Sequence, residues 1–208
     1  MNKRQKVELK IDTESGLDVN VISIVDEPAV ESTFIAFSKE EPIKQIFSSD
    51  EKMELLGVAM KPDTLIPREG NKDVWFSKDT VRKASINYFQ KGYQTKINLQ
   101  HSNTFITATV FQSVIIDSTG KTGFKAPEIF GDIPDGSWIV GLALDKNAPE
   151  SKTVWNAIKN NVFKGFSIEG FFIEQIEKMN KVHEPTLSEL YTELEAELDA
   201  IISRYNLK

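Results

Sequence analysis

Phe163-Lys164-Gly165-Phe166-Ser167-Ile168-Glu169-Gly170 decides how this chain is read: a serine between two glycines, on an apolar strand that follows a short helical segment. The chain holds only two histidines, His101 and His183, and no cysteine. A serine hydroxyl is a weak nucleophile until an imidazole takes its proton, and that imidazole needs a further group to orient it. His101 follows the alternating segment 93–99, where a strand fixes the backbone and the next loop leaves the ring accessible. Ser167 and His101 are therefore the natural pair for nucleophilic acyl chemistry.

Around that strand, alternation and apolar runs predict further strands over 6–11, 20–25, 33–37, 55–60, 93–99, 108–117 and 137–145, with 166–176 as one long strand carrying Ser167. Asp26-Glu27-Pro28 reads as a turn, and 38–52 and 62–72 as exposed loops, because their prolines cannot donate to a ladder. Ser77 is placed to cap a helix that carries Val81, Ala84 and Tyr88 and stops at Gly92. A second helix, with Val154, Trp155 and Ile158, leads into the serine strand.

The length of 208 residues, with 40% hydrophobic and 27% charged residues, suits one well-buried globular domain plus appendages. A net charge of −6 argues against a general nucleic-acid binder, whose basic surface must neutralise phosphates. No run approaches the ~18–20 apolar residues of a membrane span. The basic start Met1-Asn-Lys-Arg-Gln-Lys6 leads into alternating Val7-Glu-Leu-Lys-Ile11, not a signal-peptide core, so no membrane partner is expected and the chain is expected to stay in the cytoplasm. Lack of cysteine removes disulfide, thiolate and Cys-zinc chemistry together. There is no G-x-S-x-G elbow, P-loop, G-x-G-x-x-G or H-E-x-x-H.

The segments Val21-Ile-Ser-Ile-Val-Asp-Glu-Pro-Ala-Val30, Leu99-Gln-His101-Ser102, Trp138-Ile-Val-Gly-Leu-Ala-Leu-Asp145, Thr153-Val-Trp-Asn-Ala-Ile-Lys-Asn160 and Gly165-Phe-Ser-Ile-Glu-Gly170 form an ordered set. Over roughly 18–176 that set resembles the XkdF-like phage serine proteases, relatives of the tailed-phage prohead proteases and more remotely of the herpesvirus assemblins. The resemblance implies an α+β fold on a mostly antiparallel, partly closed β-barrel with a few covering helices. It also implies a serine endopeptidase acting in the host cytoplasm, inside the assembling procapsid. Its expected substrates are scaffold or the capsid protein's scaffolding segment, with self-cleavage also allowed. No cofactor or metal is implied.

In that reading Ser167 is the nucleophile and His101 the general base. Glu169, two residues along the strand and so on the same face as Ser167, is the first choice to orient the ring. His183, which relatives of the herpesvirus branch would favour, and Asp145 at a strand end are the other choices. Ser102 lacks the glycine-flanked setting. Two competitors remain: a non-catalytic capsid- or scaffold-associated structural protein, and a host-encoded β-barrel binding module. Fold alone separates none of these.

The domain is expected to occupy 1–176, followed by a polar linker over 177–185 and an amphipathic helix over 186–208. Thr186-Leu-Ser-Glu189 fits a capping box, and Leu187, Tyr191, Leu194, Leu198, Ile201 and Tyr205 repeat as a heptad seam suited to self-association or docking.

Overall fold

The computed structural model describes residues 4–29, 35–36, 52–119 and 124–176. The expected linker 177–185, the helix 186–208, the connection over 38–51 and His183 lie outside the described residues. Val7 and Leu9 turn inward between charged neighbours in β1 (Gln5–Lys10), whereas β2 (Val19–Val25) is buried at every position but Asn20. Strands β3 (Ile35–Ala36), β4 (Glu54–Met60), β5 (Ile66–Arg68) and β6 (Lys72–Trp75) follow. Ser77 accepts the Thr80 N–H at 3.3 Å to start helix α1 (Lys78–Gln90), and Gly92, with φ 73°, turns the chain out of it. The remaining elements are β7 (Ile97–Leu99), β8 (Ala108–Ile115), β9 (Trp138–Leu144), α2 (Ser151–Lys159), β10 (Gly165–Gly170) and β11 (Ile173–Ile176).

The strands form three sheets, ordered β11-β1-β6-β5, β10-β2-β7 and β3-β4-β9-β8. Pairing is antiparallel except for β1 with β6 and β2 with β7. The architecture is thus α+β and mostly antiparallel, but no described sheet closes into the expected barrel. A barrel needs every strand to have two neighbours. Here each sheet keeps two edges, and one or both are strands of two to four residues, too short to carry a ladder onward.

Three elements differ from expectation. The 62–72 segment contains β5 and, with β6, an antiparallel hairpin whose turn places Gly70 and Asn71 at φ 75° and 58°. Pro67 fits because β5 is an edge strand, where a missing N–H costs no ladder bond. The 93–99 strand shrinks to Ile97–Leu99 because Tyr93–Thr95 winds into a 3-10 turn. The single strand over 166–176 is two, β10 and β11, which pair with different sheets.

One hydrophobic core serves all three sheets and both helices. Ile22, Ile24, Ile97 and Phe166 enter it from one face of the β10-β2-β7 sheet, where Ile24 pairs with Phe166 and Ile22 with Ile97. Helix α1 covers the core with Val81, Ala84 and Tyr88, and α2 with Val154, Trp155 and Ile158. Buried Asp18, just before β2, holds α1 by accepting from the Asn87 amide and pairing with Lys91 Nζ at 2.8 Å.

Candidate active site

The other face of the β10-β2-β7 sheet carries a polar cluster beside the buried Val21 and Val25. Register places Ser167 of β10 directly opposite Ser23 of β2, and Ser23 beside Asn98 of β7. Since strand side chains alternate, Ser23, Asn98, Ser167 and Glu169 share that face. Directly opposed residues have Cβ atoms about 4.5–5.5 Å apart. The sheet therefore gathers four polar side chains from three segments distant in sequence.

Their contacts are short and connected. Ser23 Oγ lies 2.6 Å from both Asn98 Oδ1 and Glu169 Oε1. Asn98 Nδ2 donates to Glu169 Oε1 at 2.6 Å and to the Ser102 carbonyl at 2.7 Å. His101 Nδ1 approaches Glu169 Oε1 at 3.2 Å and Ser23 Oγ at 3.1 Å. The His101 side chain is 45% exposed, whereas Ser23 and Asn98 are buried.

His101 reaches the cluster through an unusual turn. Gln100 and His101 have φ of 53° and 52°, two consecutive left-handed residues without glycine, each at a cost of roughly 1–2 kcal/mol. Several bonds hold the turn. Gln100 N–H donates to the Ile24 carbonyl at 3.0 Å, the Asp26 N–H to Gln100 Oε1 at 3.0 Å, and the Ser102 hydroxyl to the Leu99 carbonyl at 2.6 Å. Ser102 is thus a turn residue.

Burial alone would raise the Glu169 carboxyl pKa, but hydrogen bonds from Ser23 and Asn98 and the His101 charge outweigh it and hold the group below its ordinary value. The carboxylate is ionised near neutrality and can only accept, so the imidazole nitrogen facing it carries a proton.

Ser167 is 7% exposed and lies on β10 two residues before Glu169. It lines a cavity of about 580 Å³ with Phe166, Ile168, Met60, Val74 and Phe172, while Arg68 and Glu174 also border it. The contacts of His101 are to Ser23 and Glu169; no described hydrogen bond joins it to Ser167. Asp145 accepts from the Asn147 N–H at 2.9 Å in a local turn and does not touch His101. Among the described residues no group of three or more His, Asp and Glu side chains is placed to hold a metal ion, and no helix is long and apolar enough to cross a membrane.

Sequence reasoning passed over Ser23 and Asn98. Each is a small polar residue between apolar neighbours within a strand, Ile22-Ser23-Ile24 and Ile97-Asn98-Leu99, and Asn is disfavoured there without a specific partner. That was the available signal. Ser23 is nevertheless unsuited to attack a substrate. It is fully buried, and its single proton faces two acceptors at 2.6 Å.

The sheet thus brings a serine strand, a carboxylate and the imidazole of the adjoining turn into one neighbourhood, with the imidazole on Glu169 and Ser23. Residues 42–177 match the family model "Putative phage serine protease XkdF", and the chain belongs to that family. The matched segment includes Asn98, His101, Ser167 and Glu169, and Ser23 precedes it. Neither a curated protein nor a solved structure matches the chain significantly.

Proposed function

We propose that this chain is the prohead serine endopeptidase of a tailed phage or prophage, with Ser167 as nucleophile, His101 as general base and Glu169 as the group that orients His101. The observation carrying this reading is the 3.2 Å approach of Glu169 Oε1 to His101 Nδ1, with Glu169 on the same strand face as Ser167. Nδ1 is then the anchored nitrogen and Nε2 the one available to a hydroxyl. Ser167 Oγ attacks the scissile carbonyl as its proton moves to Nε2. The tetrahedral intermediate collapses when Nε2 returns that proton to the leaving amine. Water, activated by the same nitrogen, then releases the acyl-enzyme. For this transfer the ring must turn toward Ser167, and catalytic hydrogen bonds are often slack in a free enzyme.

The substrates in this reading are scaffold or the capsid protein's scaffolding segment, cut inside the procapsid. The heptad seam from Leu187 to Tyr205 would hold the enzyme in the scaffold core. Ser167→Ala and His101→Ala should each reduce cleavage of co-expressed scaffold or capsid precursor by ~10³-fold or more and leave the thermal transition in place. A second reading, a structural capsid-associated protein without proteolysis, is favoured by the missing Ser167–His101 hydrogen bond. Unchanged precursor processing by the Ser167→Ala protein would establish it, as would a wild-type protein inert to serine-directed acylating probes.

A further inference from the structure

We propose that Ser23 and Asn98 are positioning residues that lock the neutral His101 imidazole in its Nδ1–H tautomer, leaving Nε2 bare to serve as the base. The proposal rests on the catalytic reading of His101 and Glu169, but its central measurement does not require proteolysis.

The argument is a count of protons. Asn98 Nδ2 has two, directed at Glu169 Oε1 and the Ser102 carbonyl, both acceptors. A flipped amide would set its oxygen against those two oxygens, so its orientation is fixed. Ser23 has one proton, and Asn98 Oδ1 and Glu169 Oε1 lie equally close to it at 2.6 Å. Given to either oxygen, that proton is lost to the imidazole; aimed at Nδ1 instead, it would leave Ser23 Oγ lone pairs against both oxygens at 2.6 Å. His101 Nδ1 therefore meets only lone pairs, those of Ser23 Oγ at 3.1 Å and Glu169 Oε1 at 3.2 Å. A bare Nδ1 would be repelled by both, whereas Nδ1–H satisfies both.

Glu169 alone would leave more freedom, because an unrestrained carboxylate can swing away and water can donate to Nδ1. Ser23 and Asn98, both buried, hold the carboxylate against swinging away and keep two lone-pair acceptors against Nδ1. Neither residue can relax toward solvent, and a buried polar group left unpaired costs about 1–3 kcal/mol. Asn98 also grips the Ser102 carbonyl, which fixes the left-handed turn that presents the ring. The free histidine side chain favours the opposite, Nε2–H tautomer, in which the nitrogen needed as base is already protonated.

The test is ¹⁵N NMR of the ring nitrogens of the full chain at a pH where the imidazole is neutral. The chain has two histidines, so His183→Gln leaves His101 as the sole signal. We expect an N–H shift at Nδ1 and a bare-nitrogen shift at Nε2. Ser23→Ala and Asn98→Ala should each move the ring into tautomer exchange and slow acylation of Ser167 by about 10-fold or more, without weakening substrate binding. Ser23→Thr, which keeps the hydroxyl, should restore the wild-type pattern. A wild-type ring found as Nε2–H overturns the proposal, as do folded alanine variants with an unchanged tautomer. If the alanine variants fail to fold, Ser23→Cys, which keeps the size of the side chain and weakens its hydrogen bonding, gives the same comparison, and a wild-type Nε2–H ring overturns the proposal by itself. Loss of processing activity as a general property, with Nδ1–H intact, would instead count against the protease reading alone.

Discussion

A carboxylate that meets Ser23, Asn98 and His101 together stays ionised through the contacts that aim it, and this makes Glu169 a pH-dependent strut. Its folded-state pKa is lowered from 4.5, so its contribution to stability is complete above that value and disappears as pH falls through the lower folded value. Thermal midpoints of the wild type and Glu169→Gln should therefore differ above about pH 5.5 and converge in more acidic buffer. The same substitution should lower kcat by ~10²–10⁴-fold with the fold intact, measured on a scaffold-derived peptide. Equal pH profiles for the two proteins would remove the strut. At this scale the scarcity of chemistry in the sequence narrows the candidates, although His101 meets Ser23 and Glu169 and no described hydrogen bond joins it to Ser167. Two histidines and a glycine-flanked serine leave few pairings, and strand alternation alone places Glu169 on the face of Ser167. That this face also carries Ser23 and Asn98 depends on register between strands distant in the chain, which no local pattern encodes.

Where β10 ends, the chain must change sheets, and Gly170 is the joint. The register slips between Glu169 and Gly170, and a Cβ on Gly170 would stand 2.1 Å from the Asp18 carbonyl oxygen and 2.9 Å from Val19 Cα, both backbone atoms. Neither can yield as a flexible side chain would. Gly170→Ala should cost about 1–3 kcal/mol in urea unfolding and also reduce the rate of Ser167 acylation, because the bulge sets the direction of Glu169. A stable, fully reactive Gly170→Ala protein would show that the joint is slack. Close backbone approach at this glycine is readable from sequence; the partner and the break into β10 and β11 are not, since 166–176 contains no proline and remains largely apolar through Phe172 and Ile173. The β5–β6 hairpin was obscured for the opposite reason. Its prolines suggested a loop, although Gly70-Asn71 is a fair hairpin turn and Pro67 is harmless on an edge.

Across the whole molecule, sheets are completed by strands from opposite ends of the described chain: β1 lies between β6 and β11, and β2 between β7 and β10. A chain stopped after Gly170 would retain Ser167, His101 and Glu169 while leaving one side of β1 an open edge. It should acylate more slowly than the full chain and exchange the amides of β1 faster, as followed by probe labelling and hydrogen exchange. Equal behaviour of the two chains would mean that the β11-β1 ladder does not support the site. The closed barrel expected from resemblance failed at this scale for a topological reason, since strand count and order do not reveal that the ladders stop at edges.

The interleaving of early and late strands also bears on timing. Ser23 leaves the ribosome first, and Asn98 and His101 follow with roughly half the chain made, but the strand bearing Ser167 and Glu169 comes much later. A fold dominated by such long-range pairings forms late and cooperatively. On the proposed roles, a nascent chain that has not reached β10 holds an imidazole with no carboxylate to steady it and no nucleophile to serve. Strand order alone thus keeps the cluster incomplete until β10 has been made.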